Sequence, residues 1–245
     1  MDLAAAAQRI VEQSGTYTGG PIKLFEAAGR DTFVTALRNG LLPDHKLLDF
    51  GAGCLRLGYW FVRFLEPGNY YAIEPEKRMI DAGLAQLFDA PLLAFKKPVI
   101  RISDKCDMSA FAAKFDFVVA RSILTHTAPG MLDKIFSEFA ACAAPGAKFL
   151  ASYWPASGPN MISQEGVLGD DLPLDDWRFV NVIKFTLEYL VEFAARHQLR
   201  LEEYHSDDRL LNRQVWLKIT PKPESKPERP AQPRAAIAQP SSSPT

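Results

Sequence analysis

The sequence predicts an α/β fold, a mostly parallel sheet with helices packed on both faces. Three observations carry that reading. Short apolar runs alternate with longer stretches of helical spacing, as successive strand–helix units do. Breaker pairs, Pro67-Gly68 and Pro145-Gly146, stop two of the helical stretches. A Gly-rich turn, Gly51-Ala52-Gly53, follows an apolar run directly.

In chain order, Met1 to Asn39 reads as two or three helices preceding the sheet, an N-terminal helical extension over residues 1–40. Within it, Ser14 to Gly20 is a loop that either connects helices or closes over a ligand. Lys46 to Phe50 is the first strand, followed by a helix near Leu55–Leu65 that Pro67-Gly68 ends. Tyr70 to Glu74 is the second strand, with Pro75 where the next helix would begin. Pro98 to Ile102, Phe115 to Ala120 and Lys148 to Tyr153 are three further strands. Leu132, Ile135, Phe136, Phe139, Ala140 and Ala143 recur at helical spacing between the last two. Leu187, Leu190, Val191, Ala194 and Ala195 mark another amphipathic helix. Closing strands fall near Arg200–His205 and Gln214–Thr220, which puts the main domain at 41–220. From Pro221 to Thr245 the chain is Pro-rich with no aromatic residue, a composition expected to stay disordered because it buries too little apolar surface to offset its ordering entropy.

Composition narrows the partners. With 47% hydrophobic and 23% charged residues, 245 residues can bury the core of one generous domain. A net charge of -1 supplies no general attraction to nucleic acid or acidic membranes, so neither is expected. Cys54, Cys106 and Cys142 are scattered and odd in number, neither a disulfide framework nor a zinc spacing. The start lacks a basic segment leading into an apolar one, and no apolar run approaches the roughly 20 residues that span a bilayer. A cytoplasmic monomer or homodimer is the expectation.

The chemistry concentrates after the first strand. Gly51 and Gly53 let the backbone approach a ligand at the carboxyl ends of the strands, where open α/β sheets bind them. Asp49 offers a carboxylate suited to an ammonium group, and Glu74 a carboxylate suited to two ribose hydroxyls. A nicotinamide dinucleotide site would need G-x-G-x-x-G, but Arg56 stands where the third glycine belongs. That argues against a dinucleotide oxidoreductase.

Asp49-x-Gly51-x-Gly53, the strand-ending Glu74, and Phe115-Asp116-Phe117-Val118-Val119-Ala120 followed by Ser122 and His126 together resemble class I S-adenosylmethionine-dependent methyltransferases, over about residues 40 to 155. The resemblance implies a Rossmann-like doubly wound sheet of seven strands in order 3-2-1-4-5-7-6, the seventh antiparallel. It implies that S-adenosylmethionine is the cofactor, with Asp49, Gly51, Ala52 and Gly53 at its methionine part and Glu74 at its ribose. Asp107 and Met108 look like the acidic–apolar pair beside the adenine, a role for which Asp104 competes. Arg121 and Ser122 would face the sulfonium and the acceptor. Many relatives carry a third glycine where this chain has Leu55, which is expected to take helical dihedrals there.

Methyl transfer from a sulfonium is an in-line displacement, so the protein chiefly aligns donor and acceptor. His126 is the best-placed base for a hydroxyl acceptor, though a histidine there also serves to hydrogen-bond the loop. Trp154, Met161, Trp177 and Phe179 form either an apolar wall for the acceptor or packing for an insertion. Asp170, Asp171, Asp175 and Asp176 read as a solvated loop rather than a metal site. Cys54, near a helix start, is placed for a lowered pKa without a base to make it a nucleophile. The activity expected is methyl transfer to a small-molecule oxygen or nitrogen nucleophile. The alternative is a methyltransferase-fold protein that binds the cofactor or a related nucleoside as a sensor or partner subunit.

Overall fold

The computed structural model describes residues 2–15, 21–156, 162–165, 182–205 and 214–223. Met161, Trp177, Phe179, the aspartates of 170–176 and nearly all of the Pro-rich tail lie outside the described residues.

Two helices come first, α1 (Leu3–Ser14) and α2 (Phe25–Arg38). The Asp2 carboxylate accepts hydrogen bonds from the Ala4 and Ala5 amides and caps α1, whose far end turns through Gly15 at φ 67°. Then follow β1 (Leu47–Phe50), α3 (Gly58–Phe64), β2 (Tyr70–Glu74), α4 (Lys77–Leu87), α5 (Ala90–Lys96) and β3 (Val99–Ile102). After β4 (Phe115–Ala120), α6 (Pro129–Cys142) leads into β5 (Ala143–Tyr153). A separate antiparallel pair, β6 (Ile162–Glu165) and β7 (Val182–Phe185), precedes α7 (Leu187–Arg196), β8 (Leu199–Tyr204) and β9 (Val215–Pro221).

The main sheet runs β3-β2-β1-β4-β5-β9-β8. Strands β1 to β5 pair in parallel, whereas β9 is antiparallel to both its neighbours. Counting only strands of this sheet, the order is the 3-2-1-4-5-7-6 expected, with the seventh reversed. The crevice between oppositely wound halves therefore opens at the carboxyl ends of β1 and β4.

Alternate residues along β1 and β4 feed two cores. Leu48, Phe50, Val118 and Ala120 pack with Phe136 and Phe139 of α6; Leu47, Phe117 and Val119 pack on the opposite face with Phe61 and Leu87. The N-terminal helix shares that second core through Leu3, Ala6, Ala7 and Ile10, and Arg9 donates to Gln86 of α4 at 2.6 Å. It is part of the sheet's covering layer.

Three local expectations are corrected. The helix predicted near Leu55–Leu65 is confined to Gly58–Phe64, because Leu55 takes a left-handed conformation at φ 61° that no α-helix accommodates. Pro75 precedes α4 instead of opening it, and Glu76 sits at the cap position. Pro145-Gly146 lies inside β5: Ala143 pairs with Phe115 and Lys148 with Phe117, leaving the pair in a bulge with Gly146 at φ 79°. A bulge is where a strand tolerates a proline, since no ladder amide is required there.

Candidate active site

The first half of the site is the turn from β1 onto α3. Gly51 and Ala52 amides both donate to the Ile73 carbonyl at 3.0 Å, tying the turn to β2. The Gly53 amide donates to Glu74 Oε2 at 2.7 Å, and the Glu76 amide to Glu74 Oε1 at 3.0 Å. Glu74 is thus a strap across the glycine turn, with lone pairs remaining on both oxygens. Burial pushes its pKa up, opposed by those two amide bonds.

Asp49 lies beneath the turn, 1% exposed. It pairs with Ala72, so Tyr70, two residues earlier on β2, stands diagonally on the same face. The Tyr70 hydroxyl donates to Asp49 Oδ2 at 2.9 Å, while Oδ1 is buried with no hydrogen-bond partner among the described residues. Burial raises the Asp49 pKa to about 7; the Tyr70 bond and Arg56 oppose the rise and Glu74 adds to it. An orphaned buried carboxylate oxygen is costly unless something else binds it.

Packing around the turn explains Leu55. A Cβ on Gly83 of α4 would fall 2.3 Å from the Cys54 carbonyl oxygen, so only glycine lets the helix rest on this backbone. Leu55, 1% exposed, fits against Gly58 and Gly83. Its left-handed conformation costs roughly 1–2 kcal/mol, and burying a leucine side chain contributes roughly 1.5–3 kcal/mol, so the position is sustained. Cys54 corrects another expectation: its thiol is buried, four residues before α3 begins, and burial pushes its pKa up to about 11.

On the ligand side, Gly53 faces open space, with nothing within 4 Å of a Cβ placed there. Gly51, at φ 76°, is overlain by Ile123, whose Cδ1 would lie 2.1 Å from a Cβ at that position. Past β3, Asp107 is already engaged: Arg101 donates to it at 2.8 and 3.0 Å and Ser103 at 2.6 Å. Burial alone would raise its pKa, but the Ser103 and Arg101 bonds outweigh that and lower it. Met108 is fully buried in the core. Asp104 instead lines a small cavity of about 190 Å³ with Lys105, Cys106, Gly130, Met131 and Lys134.

The second half lies past β4. Arg121, 8% exposed, reaches α2 and donates to Thr32 Oγ1 at 2.8 Å. Ser122 adopts φ 59°, and its amide donates to Ser152 Oγ at 2.7 Å. Thr125 Oγ1 donates to the Ser122 carbonyl at 2.9 Å, and Thr127 Oγ1 to that of Ile123 at 2.8 Å. His126 ends the single 3₁₀ turn Leu124–His126 with its side chain exposed.

Asp49, Gly51, Ala52, Gly53 and Glu74 are therefore brought together, and Ser122 stands across the crevice from them through Ile123 on Gly51. Sequence reasoning missed Tyr70, Ile123, Ser152, Thr32 and Gln214. Only Tyr70 carried a signal, and only once strand register was known.

Comparison with known proteins follows this geometry. A family model described as a methyltransferase domain matches residues 48–149. No curated protein matches the chain. Among solved structures, it is similar to the glycopeptide N-methyltransferase MtfA complexed with S-adenosylmethionine (TM-score 0.59, 16% identity, 81% of this chain and 94% of that one). It is similar to magnesium protoporphyrin IX methyltransferase from Synechocystis (0.57, 13% identity, 89% and 90%). It is also similar to a Burkholderia thailandensis 1,6-didemethyltoxoflavin-N1-methyltransferase (0.54, 17% identity, 88% and 87%). At these identities the structures speak for the fold: the seven-stranded sheet is the one these methyltransferases share, and residues 48–149 are similar to a methyltransferase domain.

Proposed function

We propose that this chain is a methyltransferase that transfers the methyl group of S-adenosylmethionine to a small-molecule oxygen or nitrogen nucleophile. The observation that carries the reading is the convergence of Asp49, Gly53 and Glu74 at neighbouring strand ends. Their donor set fits the cofactor: the orphaned Asp49 Oδ1 suits an ammonium, the open side of Gly53 leaves room for a ligand, and Glu74 keeps lone pairs for ribose hydroxyls. The similar structures named as a glycopeptide N-methyltransferase and a 1,6-didemethyltoxoflavin-N1-methyltransferase support a nitrogen nucleophile among the candidates.

When bound, S-adenosylmethionine supplies an electrophilic methyl carbon on a sulfonium, displaced in line by the acceptor. The chain's own residues bind and orient. Asp107, its carboxylate fixed by Arg101 and Ser103, and Met108 are the proposed pair beside the adenine, with Asp104 the competing acid. Arg121 braces the end of β4 against α2 through Thr32, at the strand end proposed to face the sulfonium and the acceptor. His126, exposed past β4, is the proposed base for a hydroxyl acceptor.

Calorimetric binding of S-adenosylmethionine and S-adenosylhomocysteine, in wild type and Glu74→Ala, tests the reading. Affinity should fall about tenfold or more in the variant, because the ribose and the glycine turn lose one carboxylate together. No binding by the wild type sinks the cofactor assignment. Binding without release of S-adenosylhomocysteine across a panel of hydroxyl and amine acceptors would favour the sensor or partner-subunit alternative.

A further inference from the structure

Three strands meet at one small ring of polar side chains beside the site. The Ser122 amide, past β4, donates to Ser152 Oγ of β5 at 2.7 Å. Ser152, fully buried, donates its hydroxyl hydrogen bond to Gln214 Oε1 at 2.7 Å. Gln214, just before β9, returns Nε2–H to Ser122 Oγ at 3.0 Å. The donors run in one direction, and the ring closes on residues 92 positions apart in sequence.

Two features make this more than local satisfaction of polar groups. Ser122 is held at φ 59°, a conformation a serine leaves unless its surroundings over-determine it. Ser152 fixes its amide from one side and Gln214 its hydroxyl from the other. The remaining contact of Ser122 Oγ with Gln214 Oε1, at 3.2 Å, is longer than a good O–H···O bond. With Ser122 Oγ already accepting from Gln214, its hydroxyl hydrogen is left as the one donor the ring does not use well. The next residue, Ile123, lies directly over Gly51, so the conformation of Ser122 also sets how close that side chain sits to the glycine turn.

The geometry points to Gln214 and Ser152 as positioning residues: they hold the Ser122 turn in its left-handed form, which aims the Ser122 hydroxyl at the bound cofactor and seats Ile123 on Gly51. The inference rests on the methyltransferase reading above and extends it to a strand remote from every site motif. It assigns β9 a part in cofactor grip through Gln214.

The test is a double-variant cycle with S-adenosylhomocysteine as the probe, measured by calorimetry on the full chain. Gln214→Ala and Ser152→Ala should each weaken binding by about fivefold, and the double variant should be no weaker than the worse single one, as for groups acting as a unit. Unchanged affinity with a lowered melting temperature would make the ring merely structural and overturn the inference; so would losses that multiply in the double variant. Amide hydrogen exchange at Ser122 supplies an arm independent of any ligand. It should quicken in Gln214→Ala, and unchanged exchange there also overturns the inference. If the wild type binds no S-adenosylhomocysteine, the cofactor reading fails by itself, and exchange still shows whether the ring holds the turn.

Discussion

The two halves of the site are built on different physics. The β1–β2 half is a backbone turn wedged by close packing: Gly83 lies against the Cys54 carbonyl, Leu55 is buried at a positive φ, and Glu74 straps the loop through amide bonds. The β4–β5–β9 half is a ring of hydrogen bonds between side chains and one amide, its members drawn from β5 and from the ends of β4 and β9. Packing tolerates little change and couples stability to binding. A polar ring can loosen with less loss of fold, because its half-buried members, Ser122 and Gln214, regain water when freed. Damage to the first half should therefore cost stability and cofactor affinity together, and damage to the second chiefly affinity.

The strongest way to break that contrast is Gly83→Ala. The added methyl meets backbone at 2.3 Å, with no flexible side chain to move aside. Stability in urea should drop by about 2–3 kcal/mol despite the better helix propensity of alanine. S-adenosylhomocysteine affinity should fall with it; full stability in the variant would show that the turn is not wedged by packing.

Asp49→Asn separates the two properties within the first half. The Asp49 pKa is raised from 3.8 to about 7 by burial, so the native state holds this proton more tightly than the unfolded chain does. The stability it contributes is full below the unfolded pKa and is lost as pH rises through the folded value. At about pH 8 wild type therefore carries a buried charge that the variant lacks, and Asp49→Asn should be more stable by roughly 1–3 kcal/mol, an advantage that fades toward about pH 4. Affinity should move the other way, dropping about tenfold with loss of a charge-assisted bond to the cofactor's ammonium. Denaturation curves at both pH values, paired with calorimetry, check both signs. A variant less stable at the higher pH would mean that the carboxylate is not a strained group.

Leu55→Gly is the finest probe. It relieves the left-handed strain but removes a buried side chain, for a net loss of about 1 kcal/mol in denaturant unfolding. Cofactor affinity should stay within about twofold, since the backbone path of the turn is already the one a glycine would take. A severalfold gain in affinity would show that leucine distorts the loop.

How much of this was legible beforehand depended on whether the deciding residues are near one another in the chain. The glycine turn and the strand-ending carboxylates Asp49 and Glu74 follow from local pattern, the sheet order from the family those residues resemble, and the structure carries all three. The behaviour of Leu55 was misread because dihedral freedom depends on what surrounds the residue. That Arg101 and Ser103, within six residues of Asp107, hold its carboxylate is a matter of side-chain geometry that spacing does not declare. The bond of Arg121 to Thr32 of α2, 89 positions away, has no local signal either.

By itself the sequence determined the α/β class and marked the carboxylates and glycines at the first two strand ends, because these depend on periodicity, breakers and backbone needs that neighbouring residues declare; the strand order came from the family resemblance those residues carry. Only the tertiary structure decided that Tyr70 partners Asp49, that Ile123 covers Gly51, and that Ser152 and Gln214 hold Ser122. Those contacts arise from strand register and from the antiparallel return of β9, and a hydrogen bond between residues 92 positions apart leaves no mark on either one's local sequence.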